Sequence, residues 1–262
     1  MPTRFAHQWV LITGASSGFG AAAAVAFARE GANLLLGARR VAKLNEVAQR
    51  CREAGAPQAL SHELDVSSTP SVEQFAQWAK STTPGGLDVL INNAGGAKGL
   101  DTVETGKDAD WEWMMQTNVL GVLRMSRAML PLLRQRSGSS LINIGSIAGR
   151  VAYEGGAAYC AAKAGELQIT KALRLELSGT GIRVTTVDPG MAETEFSLVR
   201  FSGDAAKAAK VYEGVEPLTA DDVAETLVWV ASRPKHVTID EMIIKCTDQA
   251  ALHKVFRRPA KN

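Results

Sequence analysis

Short apolar runs alternate along this 262-residue chain with longer stretches of helical periodicity, and that alternation narrows the possible folds more than any other feature. The runs Trp9–Thr13, Leu34–Gly37, Val89–Ile91, Ser140–Ile144 and Val184–Val187 lack a polar face, so they read as strands buried on both sides. Between them, Ala21–Glu30, Val41–Ala54, Ser71–Lys80, Asp110–Arg136, Ala157–Ser178 and Thr219–Ala231 carry the periodicity of helices. Strand alternating with helix predicts an α/β fold: a doubly wound parallel sheet of about seven strands, helices on both faces, joined by right-handed crossovers.

Local punctuation supports these limits. Pro70 follows Ser67–Thr69 at a helix start, and Gly31 and Gly55 follow helix ends, where a left-handed residue is needed. Thr219 precedes Asp221 and Asp222, an N-cap with acids in the first turn. No repeat or low-complexity linker interrupts the pattern, so residues 1–262 are expected to form a single domain. The interval 191–217 lacks strand character and carries one short predicted helix, Asp204–Tyr212. A segment of that size in a compact α/β domain predicts a lid over a site.

Composition excludes several classes of function. Apolar residues make up 46%, enough for a large core. Lys plus Arg number 29 against 27 Asp plus Glu, and a net charge of +2 is not the footprint of a nucleic-acid binder. Only Lys254, Arg257, Arg258 and Lys261 cluster, which reads as a solvated terminus or a phosphate-binding arm. The first residues run straight into a strand without a cleavable apolar segment, so no targeting segment is expected. No run of about 18 apolar residues is present to cross a membrane. Cys51, Cys160 and Cys246, like His7, His62, His236 and His253, are scattered without a disulfide or zinc pattern. The expectation is a cytoplasmic protein without a metal centre, acting on a small molecule.

Chemistry concentrates in two places. The first is Thr13-Gly14-Ala15-Ser16-Ser17-Gly18-Phe19-Gly20, directly after the first strand. Gly14 permits the tight turn, Gly18 lets the backbone approach a pyrophosphate, and Gly20 allows close helix packing. Free N–H groups at the helix start then meet the negative charge. A plain tight turn would use the same glycines. The second is Tyr159-Cys160-Ala161-Ala162-Lys163, whose spacing of four puts Tyr159 and Lys163 on one helix face. A tyrosine is a poor base at neutral pH, and a neighbouring ammonium favours its phenolate. Cys160 reads as a small packing residue.

TGASSGFG resembles the cofactor loop of the short-chain dehydrogenases/reductases, and further motifs follow in that family's order. Asn92-Asn93-Ala94-Gly95 resembles its NNAG element after the fourth strand, and Asp65-Val66 its adenine-contacting Asp after the third. Asn118, Ser146, Tyr159 and Lys163 match its catalytic quartet in kind and spacing, while Pro189-Gly190 and Thr194 match its nicotinamide-facing turn. The resemblance spans Val10 to Thr194 and implies a Rossmann-type fold. It implies that Tyr159 exchanges the proton with the substrate oxygen while Ser146 hydrogen-bonds that oxygen. Lys163 would hold the nicotinamide ribose and tune Tyr159, and Asn118 would anchor a water chain. Cofactor contacts are implied for Gly14, Ser16, Ser17, Gly18, Phe19 and Gly20 in the loop. Further contacts are implied for Asp65, Val66, Asn92, Ala94, Gly95, Pro189, Gly190 and Thr194. By itself each residue has an ordinary reading: Ser146 a loop cap, Asn118 a buried helix-kink polar group, Lys163 a surface charge.

The second strand ends Gly37-Ala38-Arg39-Arg40. NAD enzymes place an acid here for the ribose 2′-OH, whereas Arg39 and Arg40 suit a 2′-phosphate, so NADP is the expected cofactor. The two arginines could also simply begin a solvated helix. The 191–201 stretch, the Pro217–Glu225 segment and Val228-Trp229-Val230 resemble the branch holding NADP-dependent 3-hydroxy acid (serine and allo-threonine) dehydrogenases and reductases of small acidic aldehydes. The chain end lacks the TGQ turn of many other members. Arg200 is therefore expected to pair with a substrate carboxylate or sulfonate, with Tyr153 donating a second hydrogen bond. Arg200 could instead pair with Glu195 or a neighbouring subunit, and Tyr153 could merely wall the pocket. The expected function is NADP-dependent interconversion of a small 3-hydroxy acid and its carbonyl form. The alternatives are a broad NADPH-dependent carbonyl reductase of uncharged aldehydes and ketones, and a non-catalytic NADPH sensor. The resemblance also implies a homotetramer through the helices at 110–136 and 157–178, with the basic tail reaching a neighbour.

Overall fold

The computed structural model describes residues 3–259. Seven strands form one parallel sheet: β1 Trp9–Thr13, β2 Asn33–Ala38, β3 Ala59–Glu63, β4 Val89–Asn92, β5 Ser140–Ile144, β6 Arg183–Pro189 and β7 Glu241–Ile244. Their order is β3-β2-β1-β4-β5-β6-β7. All neighbouring pairs are parallel, with Val10 opposite both Leu34 and Val89. This is the expected doubly wound architecture. The period-two alternation of the strands divides the core into two layers. Val10, Ile12, Leu34 and Leu36 face α1 (Gly18–Arg29), α2 (Val41–Glu53) and α9 (Ala220–Ala231). Leu11, Leu35 and Leu90 face α3 (Thr69–Thr82), α5 (Gly121–Leu133) and α6 (Ala157–Glu176).

Helix limits follow the caps. Ser68 accepts from the Ser71 N–H at the start of α3, with Pro70 in the first turn. Thr219 and Asp222 form a reciprocal capping box on α9. Gly31 (φ +78°) and Gly55 (φ +116°) take the left-handed conformations that close α1 and α2.

Three regions depart from the sequence pattern. The stretch expected as one helix at 110–136 is α4 (Asp108–Met115), a wide π-type turn Gln116–Leu120, and α5. The Asn118 side chain donates to the Met114 carbonyl, which its own backbone N–H would take in a regular helix, and the turn widens. Residues 191–217 hold two helices, α7 (Glu195–Arg200) and α8 (Ala205–Lys210), of which only α8 was expected. The tail is not a free solvated arm. β8 (Gln249–Ala251) and β9 (Lys254–Val255) pair antiparallel, Arg257 donates to the carbonyls of Val211 and Glu213, and Arg258 binds Asp248 at 2.6 Å. It folds back on the 211–216 backbone of its own chain, and Lys261 lies outside the described residues.

Among the described residues no helix is long and apolar enough to cross a membrane.

Candidate active site

The chain returns from the β3 edge to place β4 beside β1, and this reversal opens the crevice where α/β sheets bind ligands. The crevice is pinned from both sides. Thr13 Oγ1 accepts from the N–H groups of Asn93 and Ala94, each at 3.0 Å, and Asn93 Nδ2 donates to the Thr13 carbonyl at 2.8 Å. The loop after β1 therefore cannot shift without the loop after β4. Gly14 sits at φ +66°, and a Cβ there would stand 2.9 Å from the Ala94 Cα. Gly14→Ala is expected to cost about 1–3 kcal/mol of strain, a fall of roughly 2–10 °C in Tm, checked by thermal unfolding. An unchanged Tm would contradict this account of the crossing.

The start of α1 fits a pyrophosphate. The Ser17 side chain makes no cap, and the N–H groups of Gly18, Phe19 and Gly20 donate to no acceptor among the described residues. Thr194 covers this start, since a Cβ on Gly18 would lie 3.6 Å from the Thr194 Cβ. Gly20 is small for a reason nearer than helix packing: a Cβ would come 2.6 Å from the Gly14 carbonyl oxygen. Asp65 accepts from the Ser67 N–H and hydroxyl through Oδ1, and Val66 is buried against Gly121. Asn92 is buried below the crevice and donates to Asn143 Oδ1 at 2.9 Å and to Ser126. The Pro189–Gly190 turn is held by Gln249, whose Oε1 accepts from the Met191 N–H at 2.7 Å. Neither the Gln249 prop nor α7 was foreseen. Thr194 followed by Glu195 was the available signal for α7, an N-cap with an acid in the first turn.

At the end of β2 Ala38 is buried and Arg39 exposed. Arg40 is not free. Its guanidinium donates to Ser16 Oγ at 3.3 Å, to Ser17 Oγ, and to Glu195 at 2.7 Å, while Lys43 reaches the other Glu195 oxygen at 3.0 Å. The hydrogen bonds from Arg40 and Lys43 pull the Glu195 carboxyl down to about 2. That lowering makes the tie fully present above the ordinary carboxylate range, and it is lost only as pH falls towards about 2. Arg40 thus joins the loop after β1 to the 191–217 segment.

The quartet assembles beneath this segment. Tyr159 and Lys163 lie one turn apart on α6, both largely buried. The Ile147–Gly149 turn packs on the Lys163 backbone, and Ser146 caps it, its Oγ accepting from the Ala148 N–H at 3.1 Å. The serine is thus a loop cap whose hydroxyl proton is still available to an acceptor. Asn118 exchanges two hydrogen bonds with Gly96, at 3.0 and 2.9 Å, and is almost fully buried. A Cβ on Gly95 would lie 2.6 Å from Asn118 Oδ1 and 3.8 Å from Lys163 Nζ, so these three groups converge. Lys163 Nζ donates to the Ile144 carbonyl at 2.6 Å and stands 3.4 Å from Glu166 Oε2. Burial presses the ammonium to lose its proton, but the charges of Glu166 and Tyr159 outweigh it, and Lys163 holds the proton above the ordinary lysine range.

On the open side, Phe196 packs against the Tyr159 ring at 5.6 Å between centroids. Arg200 comes within 5.8 Å of the same ring. Its Nη2 donates to Tyr153 OH at 2.7 Å and its Nε to the Gly99 carbonyl at 2.9 Å. Tyr153 therefore accepts from Arg200, which leaves its own hydroxyl proton to give. Burial pushes that phenol above its usual range, against the pull of Arg200. Arg200 makes no ion pair among the described residues, and Glu195, its sequence-level alternative partner, is taken by Arg40 and Lys43. Ala97, Met114 and Ala148 complete the wall around Tyr159, with Trp111 and Trp113 packed against it.

The short chain dehydrogenase family pattern matches residues 8–203. The chain belongs to this family. It is 40% identical over 259 residues to the NADP-dependent 3-hydroxy acid dehydrogenase of Schizosaccharomyces pombe, covering 98% of this chain and 100% of the relative. To sulfoacetaldehyde reductase 2 of Chromohalobacter salexigens it is 40% identical over 242 residues, covering 92% and 95%. Among solved structures, a closed form of serine dehydrogenase complexed with NADP+ superposes with a TM-score of 0.86 at 35% identity, covering 96% of this chain and all of that one.

Proposed function

We propose that this protein is an NADP-dependent dehydrogenase that interconverts a small 3-hydroxy acid, serine-like or 3-hydroxypropionate-like, with its carbonyl form. One observation carries the substrate class. Arg200 is a partly buried cation with no anion partner among the described residues, held by Tyr153 and Gly99 and facing the Tyr159 ring. A buried cation without a counter-ion is costly, and a substrate carboxylate or sulfonate offsets that cost with a charge-assisted hydrogen bond. The curated relatives named above act, by their names, on a hydroxy acid and on a sulfonated aldehyde.

When bound, NADP supplies the hydride chemistry. The chain's own groups bind and move protons. The uncapped α1 N-terminus and Thr194 hold the pyrophosphate, and Arg39, with the Arg40 N–H groups not used by Ser16, Ser17 and Glu195, takes the 2′-phosphate. Tyr159 exchanges the proton with the substrate oxygen, which Ser146 orients with its free hydroxyl proton. Lys163, one turn further, keeps positive charge beside Tyr159 and reaches the ribose hydroxyls. The Asn118 side chain is committed to Gly96 and Met114, so its part in a water chain falls to the backbone of the widened turn. The 191–217 segment acts as the lid, tied down by Arg40–Glu195 and carrying Arg200 and Phe196 to the substrate.

Arg200→Ala tests the assignment. KM for 3-hydroxy acids is expected to rise about 10–100-fold, the worth of one hydrogen bond to a charged group, while uncharged carbonyl substrates change little. Equal losses on charged and uncharged substrates would remove the carboxylate clamp and favour a broad carbonyl reductase.

A further inference from the structure

Glu166 is a carboxyl group where none is required for packing. It lies on α6 three residues beyond Lys163 and is wholly buried. One oxygen stands 3.4 Å from Lys163 Nζ, and the other, Oε1, has no hydrogen-bond partner among the described residues. A half-satisfied buried carboxyl is a poor way to stabilise a helix, and an apolar residue of similar volume would serve the core better. Its neighbours instead set it behind the proton-exchanging pair. Lys163 is pulled between Glu166 and the Ile144 carbonyl, with Tyr159 one turn back on the same helix.

We propose, resting on the assignment of Tyr159 and Lys163 above, that Glu166 is a positioning residue. Its buried carboxylate is the counter-ion of the Lys163 ammonium and fixes the charge that the Tyr159–Lys163 pair presents to the substrate oxygen. The ammonium is almost enclosed, so without a nearby anion it would give up its proton at lower pH. Glu166 therefore holds the proton on Lys163, and with it the positive charge beside Tyr159.

The other groups around Glu166 do not replace it. From β6, Asp188 acts on both Glu166 and Lys163, but its carboxylate is met by Arg150 at 2.6 Å, which also binds Glu241. From β5, Asn143 donates to Thr170 Oγ1, and that hydroxyl donates to the Glu166 backbone carbonyl. Burial, and then the Asp188 charge, push the Glu166 carboxyl above its ordinary range, and the Lys163 ammonium beside it offsets only part of that. The carboxylate form is thus the one that prevails towards alkaline pH, on the side where the alcohol is oxidised by loss of its proton.

The test is the pH profile of kcat for alcohol oxidation with saturating NADP. In Glu166→Gln, which preserves shape and removes charge, the alkaline limb set by Lys163 moves to lower pH. The expected displacement is about one unit or more, tenfold in rate at a fixed pH on the alkaline limb. Glu166→Asp keeps the charge one methylene further from Nζ and moves that limb the same way by less. An alkaline limb unmoved in both variants, or one uniform loss of rate at every pH, overturns the proposal. Turnover surviving in Tyr159→Phe overturns the underlying assignment as well; an inactive Tyr159→Phe with unmoved Glu166 profiles overturns the Glu166 role alone.

Discussion

Tyr159→Phe should lower kcat by about 10²–10⁴-fold, the usual worth of positioned acid–base catalysis, and leave NADP binding within about twofold of the unsubstituted protein. The substitution removes one oxygen and little else. The ring keeps its packing against Phe196 and its place beside Arg200, so the pocket retains its walls. Lys163 remains anchored by the Ile144 carbonyl and Glu166, neither of which involves the phenol. Cofactor fluorescence titration and steady-state kinetics on the same preparation separate the two effects. A variant that binds NADPH and turns over at the original rate would put the proton-transfer role elsewhere. A wild-type protein that binds NADPH without turning over any carbonyl substrate would make the chain a sensor.

Ala38→Asp should reverse the cofactor preference. Ala38 ends β2 and is followed by the exposed Arg39 and by Arg40, whose charge is met by Glu195, so position 38 itself presents no acid to a 2′-phosphate that Arg39 can reach. A carboxylate there repels the phosphate and accepts from a 2′-hydroxyl instead. Two like charges about 4 Å apart near a protein surface repel by several kcal/mol before solvent screening. A rise of about a hundredfold or more in KM for NADP is therefore expected, with NAD unchanged or improved. Removing Arg40 is a less direct test, because that side chain also carries the tie to Glu195 and braces Ser16 and Ser17. A parallel loss with both cofactors would show that position 38 acts through folding and not through the phosphate.

The sheet was legible because its strands are buried on both faces. Residues such as Val10–Ile12 and Leu34–Leu36 have no polar face to hide, and the β–α alternation leaves few topologies. The edge strand β3 was harder to delimit, since Leu60 and Glu63 are exposed and the run Ala-Leu-Ser-His-Glu has no apolar continuity. The π-type turn at 116–120 was hidden because apolar periodicity does not register one side chain capturing a carbonyl. Helices α7 and α8 both have six residues, too few for a period of 3.6 to declare itself. Helix α8 is announced by its alanine-lysine run after Asp204, whereas Glu-Phe-Ser-Leu-Val-Arg of α7 carries no such strong helix formers in a row.

The candidate site divided in the same way. Groups that act through local spacing, such as Tyr159 with Lys163 or the glycines of the first loop, could be placed from the sequence. Groups that act across the fold could not. Glu195 meets Arg40 across 155 positions and Arg200 meets Gly99 across 101, and no local pattern encodes either contact. Glu166 is intermediate. Its spacing from Lys163 was visible, but only its complete burial distinguishes a counter-ion from an ordinary surface pair.

The most direct test of acid-directed NADP chemistry is the initial rate followed by reduced-nicotinamide absorbance. It is measured with NADP and with NAD, on a panel of 3-hydroxy acids beside their ethyl esters. An Arg200 that has no ion pair among the described residues and lies beside Tyr159, together with a β2 end that carries no acid, predicts turnover of the acids with NADP, with far lower kcat/KM for the esters and for NAD. Preference for the esters would contradict the anion subsite and leave the protein a general carbonyl reductase.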